Sequence, residues 1–439
     1  MAHIIPDSSD YHMEPRVVPE GWSGRLRVRG EYLHTEFQQG VRYAYTLQSF
    51  YVLATGDRRR KPVCGVREPE PDGTLEIPFS PDTYGEWMLT IGYEDEHRTR
   101  NVPCNLGVYV LPERWWKYRP YIGELHAHST GSDGTQEPLC VALRGRRAGF
   151  DFFALTDHRN FTTSTEMLRR GRELLGDGML LLTGEEMHPE KDEETGTPVY
   201  DHQYHYVSVG HTQSVRDAYL EDEARSGAEV AAIVEEVRRR GPVNDLDLAA
   251  YAEGLWKLRK AKELGGLTLY CHPYWAWPLN LDRPSIDEMF ANFETDAVEA
   301  FSRADPSSLM TNRLLQRGRT EGTLPVVGVS DVHDWHESTD LEYCTFVMAE
   351  ERSRQSLLNG IREGRSVACR KQDTWQFLGE LELTDFAAFY FARLHRLRTR
   401  VTQLQADLAL ASLRGSASSP ELILRLNEEL GKLDACLWA

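Results

Sequence analysis

The chain has 439 residues, 41% of them hydrophobic, and 68 acidic against 50 basic side chains give a net charge of −18. The length predicts two or three domains, and the apolar fraction is ample for packed cores. The acidic excess excludes a broad electrostatic grip on duplex nucleic acid, which needs basic residues to displace counterions. It leaves room for a small anionic substrate, because bound divalent ions bring local positive charge. Seven scattered cysteines without a CxxC pair read as reduced thiols of a cytoplasmic protein. No apolar run reaches membrane-spanning length, and the first residues lack a basic stretch followed by an apolar core, so no signal peptide is expected.

Residues 1–112 are predicted to form an N-terminal β-sandwich-like domain. Short stretches rich in β-branched and aromatic residues (25–32, 41–52, 74–79, 86–93 and 106–111) are punctuated by turn signals such as Asp72-Gly73. His34 and His97 there read as surface or packing histidines, and the basic run 58–61 as a solvated turn. The segment 112–120, with a proline at each end, is the join, and its Trp115 and Trp116 are expected to pack.

From Tyr121 the pattern changes to alternating strands and helices. Stretches 122–127, 152–156, 179–183, 204–209, 267–270, 297–301 and 324–329 read as strands, with helices such as 138–147 and 163–175 between them. Repeated β-then-α order over 113–380 predicts a parallel sheet, open or closed into a barrel. Almost every strand ends in a potential ligand, and in a β/α barrel those ends converge on one mouth. An acidic run at 188–198 and two helical patterns, 228–239 and 246–264, form an excursion at the edge. Residues 381–439 carry Leu394, Leu397, Val401, Leu404 and Leu408, then Ile423, Leu426, Leu430, Leu433 and Leu437, at three-four spacing. This predicts a C-terminal helical hairpin that docks on the barrel or forms a homodimer.

The chemistry centres on YIGELHAHSTGSDG at 121–134. His126 and His128 are at i and i+2, so on a strand both imidazoles share a face. With Asp133 close behind, they suit zinc, manganese or iron. Further along come Asp157-His158, Glu185, His205, His272, Glu299, and Asp331 with His333. Six imidazoles and three carboxylates are too many for one ion, and a carboxylate is the side chain that bridges two.

This motif series resembles the PHP (polymerase and histidinol phosphatase) superfamily of metal-dependent hydrolases. ELHAHSTGSDG, LTDHR at 155–159, TGEE at 183–186, HYVSVG at 205–210, CHP at 271–273 and VSDVH at 329–333 fall in that family's order. The β-rich region ahead of them resembles the carbaryl-hydrolase-like branch. The resemblance implies a distorted (β/α)7 barrel with two or three divalent metal ions at its mouth. It implies that His126, His128 and Asp331 hold one ion and that Glu185 bridges to a second completed by His205 and His272. Asp133, His158 and His333 would hold a third. His188, His202 and His211 then read as loop histidines, and His336 as a surface one. Asp331 and His333 are candidates for proton transfer, and Asp157 for orienting a ligand. Arg159, where the family often has an acidic or amide residue, and Arg303 are candidates for clamping phosphate. The expected activity is phosphoester hydrolysis of a small phosphorylated metabolite or nucleotide by a metal-bound hydroxide. The alternatives are a carboxylic or carbamate ester hydrolase and a non-enzymatic metal-binding scaffold.

Overall fold

The structure, a computed structural model, describes residues 7–50, 61–94, 104–190, 204–275, 283–305, 309–334, 342–416 and 420–439. His97, His202 and His336 lie outside the described residues, as do most of the runs 58–61 and 188–198. The chain divides into two compact units. One comprises Met1–Tyr118, Asp385–Val401 and Asn427–Ala439; the other Arg119–Thr384 and Thr402–Leu426.

In the first unit, β1 (Tyr11–Glu14), β2 (Val17–Pro19), β3 (Gly24–Gly30), β4 (Tyr43–Ser49), β5 (Val63–Arg67), β6 (Leu75–Phe79), β7 (Gly85–Tyr93) and β8 (Cys104–Leu111) make two sheets. Their orders are β1-β3-β6 and β2-β8-β7-β4-β5. All pairings are antiparallel except β2 with β8. Strand β4 shows why: Tyr43, Tyr45 and Leu47 alternate inward with partly exposed Ala44, Thr46 and Gln48, the period of a half-buried strand. Both sheets contribute to one apolar core that includes Leu26, Leu47, Ile77, Leu89 and Val108. Trp115 is buried, and Trp116 packs against Trp438 at 5.4 Å.

The second unit is mixed α/β. Its strands are β9 (Arg119–Glu124), β10 (Phe152–Ala154), β11 (Leu180–Leu182), β12 (Gly184–Met187), β13 (Tyr206–Val209), β14 (Leu267–Tyr270), β15 (Ala297–Ser302), β16 (Val326–Val329), β17 (Tyr343–Ala349), β18 (Ser366–Lys371) and β19 (Trp375–Gly379). They form two sheets, β11-β10-β9-β17-β18-β19 and β12-β13-β14-β15-β16. The sheets are not uniformly parallel, as β-then-α order had suggested. Only β9, β10 and β11, and β14, β15 and β16, run parallel; β12 to β14 and β17 to β19 pair antiparallel. The physical reason is local. A single residue, Thr183, separates β11 from β12, too short for a crossover helix, so the chain switches sheets instead. Gly184 permits this, since a Cβ there would stand 2.8 Å from the Leu155 carbonyl oxygen. Bridges Ala127–Val332 and His158–Glu186 then join the two sheets at one end.

The C-terminal helices His395–Leu413 and Pro420–Leu437 form the expected hairpin but not a separate unit. Leu394, Ile423, Leu430 and Leu437 are buried, so much of the apolar seam is covered within this chain. Within the first unit Arg398 Nε donates to Asp434 Oδ1 at 2.7 Å. Within the second, the buried Arg146 donates twice to Gln405 Oε1, from Nε at 3.0 Å and Nη2 at 2.6 Å. No helix of the described residues is long and apolar enough to cross a membrane.

Candidate metal centre

The site is assembled where β9 and β16 end side by side. His128 N donates to Val332 O at 2.9 Å and Asp331 N to His126 O at 3.0 Å. That pairing turns His126, His128 and Asp331 towards one another. Glu124, buried in β9, secures it by accepting from His126 N at 3.0 Å and Ser330 N at 3.0 Å. Burial pushes its carboxyl up to about 7, against those hydrogen bonds. Arg159, His272 and Asp331 have φ of 52°, 21° and 47°, left-handed values that cost non-glycine residues about 1–3 kcal/mol each. All three stand where a strand gives way to the site.

The innermost donors are His126 Nε2, His128 Nε2, Glu186 Oε2 and Asp331 Oδ1. His126 Nε2 lies 3.2 Å from His128 Nε2, 3.0 Å from the Glu186 oxygen and 3.2 Å from the Asp331 oxygen. His128 Nε2 is 3.1 Å from each of the same two oxygens. These are two near-equilateral triangles sharing an edge. Their circumradius is about 1.8 Å, so an ion about 2.0–2.1 Å from each donor, the usual zinc distance, fits beside either face. The donor chemistry agrees. His126 Nδ1 is 2.6 Å from Glu299 Oε1 and donates to it. In the neutral ring Nε2 therefore carries a lone pair, aimed at two carboxylates. Only a cation makes that arrangement favourable. Without a metal, protons serve: burial alone would depress His126, but Asp331, Glu299 and Glu186 hold it well above the usual value. The same opposition leaves His128 raised to about 9.

A second group continues from the other Glu186 oxygen. His205 Nδ1 is 2.7 Å and His272 Nε2 3.2 Å from Glu186 Oε1, and His272 Nε2 is 3.8 Å from Asp331 Oδ2. Burial, together with His272 and His158, lowers His205 to about 4 despite Glu186. Cys271 Sγ also faces Glu186 Oε1, at 3.8 Å. The third group is His128, Asp133, His158 and His333. Asp133 Oδ2 is 3.4 Å from His158 Nε2 and 3.3 Å from His333 Nε2. Here the side chains are 54%, 24% and 37% exposed for Asp133, His158 and His333, against 0–7% for the innermost four. The cluster therefore opens to solvent at the third group.

One expected role needs correction and another takes an indirect form. Glu185 does not reach the cluster. It points to the opposite face of β12, accepting from Val215 N at 2.5 Å and Ser214 Oγ at 3.2 Å, with His211 Nε2 at 3.6 Å. Its neighbour Glu186 faces the cluster instead, because adjacent strand residues face opposite ways. Asp157 reaches a histidine only indirectly, through Ser132, whose Oγ lies 3.3 Å from His128 Nδ1. Its carboxylate accepts from Ser129 N and Ser129 Oγ, both at 2.6 Å, from Ser132 Oγ at 2.9 Å and from Thr163 Oγ1 at 2.7 Å. It builds the loop that carries Asp133, and Gly131 leaves room for it: a Cβ there would meet Asp157 Oδ2 at 2.4 Å.

The remaining candidates are placed as follows. Arg159 Nη2 donates to Pro189 O at 2.9 Å. Arg303 is exposed just after β15, its charge felt by the Tyr343 phenol. His211 is buried, with Nδ1 3.0 Å from Ser208 Oγ. His188, read as a loop histidine, is buried in the site, with Nε2 2.8 Å from His158 Nδ1 and its ring stacked on His205 at 4.4 Å. It follows Glu186 by two residues, so the alternation that pairs His126 with His128 would have found it.

No family model matches the chain, and no curated protein matches it. Solved structures give partial overlaps. A two-domain protein from Bacteroides vulgatus containing a predicted PHP-like metal-dependent phosphoesterase is 20% identical, with 57% of this chain and 65% of that one covered at a TM-score of 0.37. The chain thus spans less than two thirds of that protein. A candidate metal-dependent phosphoesterase from Bifidobacterium adolescentis is 19% identical over 48% of this chain and 87% of that one, with a TM-score of 0.32. An amidohydrolase from Chromobacterium violaceum, with bound sulfate and no metal, is 17% identical over 49% and 88%, with a TM-score of 0.32. Overlaps this partial leave the functional argument to the side chains.

Proposed function

We propose that the chain is a metal-dependent hydrolase of the PHP type, acting as a phosphoesterase on a small phosphorylated metabolite or nucleotide from a distorted (β/α)7 barrel. The observation that carries the reading is the convergence of imidazole and carboxylate donors: His126, Glu186, His272 and Asp331 gather in one group and His128, Asp133, His158 and His333 in another, while Glu186 Oε1 also faces His205. His126, His128, Glu186 and Asp331 would hold the inner ion, Glu186, His205 and His272 the second, and Asp133, His158 and His333 the outer one. Bound divalent ions supply Lewis acidity toward a phosphoryl or carbonyl oxygen and make water acidic enough to attack near neutral pH. The chain's own part is positional. Glu299 keeps the His126 lone pair turned inward. The Asp157-braced loop holds Asp133 at the solvent side, where substrate enters. His333, whose Nδ1 donates to the Asp331 carbonyl at 3.0 Å, lies there too; its Nε2 would hold the outer ion, and it could pass a proton to the leaving group only with that position empty.

The positions of the arginines favour a second reading. Arg159 is bonded to Pro189 O and Arg303 is exposed beyond β15, which suits a neutral carboxylic or carbamate ester as well as an anion. Self-association through the C-terminal hairpin is also proposed, with Leu404, Leu422 and Leu424 the apolar residues it leaves exposed. A hydrolysis screen, metal by metal, on phosphomonoesters, phosphodiesters and carboxyl esters tests the reading. Phosphoester turnover dependent on zinc, manganese or iron is expected. Less than one equivalent of metal after reconstitution, with no turnover of any ester, would sink it.

A further inference from the structure

We propose that His188 is a positioning residue of this centre: it fixes the His158 ring, and through that ring sets the affinity of the outer cation position. The proposal rests on reading the cluster as a metal centre. His158 presents Nε2 towards Asp133 Oδ2 at 3.4 Å, so as a ligand there it carries its ring proton on Nδ1. Two acceptors lie near that proton, His188 Nε2 at 2.8 Å and Glu186 Oε2 at 3.2 Å. Glu186 Oε2 also faces His126 and His128 at the inner position, so His188 is the acceptor left to His158 once that position is filled. A histidine accepting from a ligand histidine does the work usually done by a carboxylate or a backbone carbonyl. It fixes which nitrogen is free and where the ring points.

The way His188 is held supports a built role. The Lys257 ammonium, from the helix Leu248–Glu263, is 2% exposed and donates to the His188 carbonyl. It also lies 3.0 Å from Glu190 Oε1 and 3.2 Å from Glu253 Oε1. Glu190 N donates to that same Glu253 oxygen at 2.7 Å, and Arg216 Nε to Glu190 Oε2 at 3.0 Å. Arg159 closes the set on Pro189 O. A buried ammonium between two carboxylates is costly unless it is fully bonded. Here its bonds go to His188 O, Glu190 and Glu253, and together with Arg159 on Pro189 O they hold the backbone of 188–190 that aims the imidazole.

The test is zinc titration of the full chain against a competing chelator, for wild type, His188→Ala, His188→Gln and Lys257→Met. The wild type should bind three equivalents. His188→Ala should weaken the outermost by about 10–100-fold, the second, whose His205 stacks on His188, by less, and leave the innermost unchanged. His188→Gln, which keeps an acceptor at similar reach, should recover most of the loss. Lys257→Met, which touches no ligand, should weaken the same equivalent by less. Thermal unfolding of the metal-free variants separates this from general destabilisation, which would lower all affinities together. Wild type saturating at two equivalents, His188→Ala indistinguishable from wild type, or His188→Gln no better than His188→Ala would each overturn the proposal alone. Wild type holding no zinc would sink the hydrolase reading with it.

Discussion

The two faces of β12 carry the same chemistry to opposite ends. Glu185 and Glu186 are consecutive, both fully buried, and both face histidine. Around Glu185 hydrogen is plentiful: Val215 N and Ser214 Oγ donate to it, and Ser208 Oγ lies beside His211 Nδ1. On that face the Glu185 carboxylate is met by hydrogen donors of its own surroundings. Around Glu186 most neighbours are imidazole nitrogens whose useful face is a lone pair, from His126, His128, His205 and His272. Such a face needs cations. What separates a structural carboxylate from a ligand is therefore neither residue type nor burial, but whether the neighbourhood supplies protons of its own.

The comparison breaks most sharply by substitution. Glu186→Ala should remove the donor shared by two positions, leave less than two equivalents of metal, and lower kcat/KM by roughly 4 kcal/mol or more, about a thousandfold. Near-normal turnover with full metal content would move the bridge elsewhere. Glu299→Ala frees the His126 ring without touching a ligand atom. Inner-ion affinity should fall by about 10–100-fold, read by chelator competition; unchanged affinity would reduce Glu299 to a packing role.

On the other face, Glu185→Ala should leave metal content and turnover close to wild type. It orphans buried donors at Val215 and Ser214, so stability should fall by about 1–3 kcal/mol for each, measured by urea unfolding. Metal loss at unchanged stability would reverse the assignment of the two faces.

Protons sharpen the contrast, since only the Glu186 face trades them for metal. With His128 raised from its ordinary 6.5 to about 9, protonation stabilises the metal-free fold fully below about pH 6.5, and the effect is lost as pH rises through 9. Metal affinity should climb over the same window, with protons released on loading at pH 7. Calorimetry in two buffers of different ionisation enthalpy reads that release; none would mean that the donors are already bare. The smallest effect is expected for Arg159→Ala. Because its guanidinium is engaged at Pro189 O, kcat/KM on phosphoesters should drop by about 1.5 kcal/mol, at the low end for a bond to a charged group. A neutral ester should be unaffected, and a drop equal on both substrates would make Arg159 a purely structural residue.

Much of this was legible without coordinates. Alternation put His126 and His128 on one face, and ligand-type residues at successive strand ends placed His158, His272, Asp331 and His333 around one mouth. Those signals survive because they depend on local backbone geometry alone. The choice between Glu185 and Glu186 was not legible. All four residues of β12 are buried, so no polar face marks which way the strand looks. The one-residue link at Thr183 and the sheet switch at Gly184 decide it. The role of Asp157 was equally hidden, because its partners Ser129, Ser132 and Thr163 become neighbours only when the β9 and β10 ends meet. Glu124 resembled any acidic residue at the end of an apolar run until the β16 end came to it through Ser330. The sequence by itself determined which residues could ligate and that they would gather at strand ends. Which of them face inward, and which already have their hydrogen bonds, only the tertiary structure decided, because that depends on donors brought from distant parts of the chain.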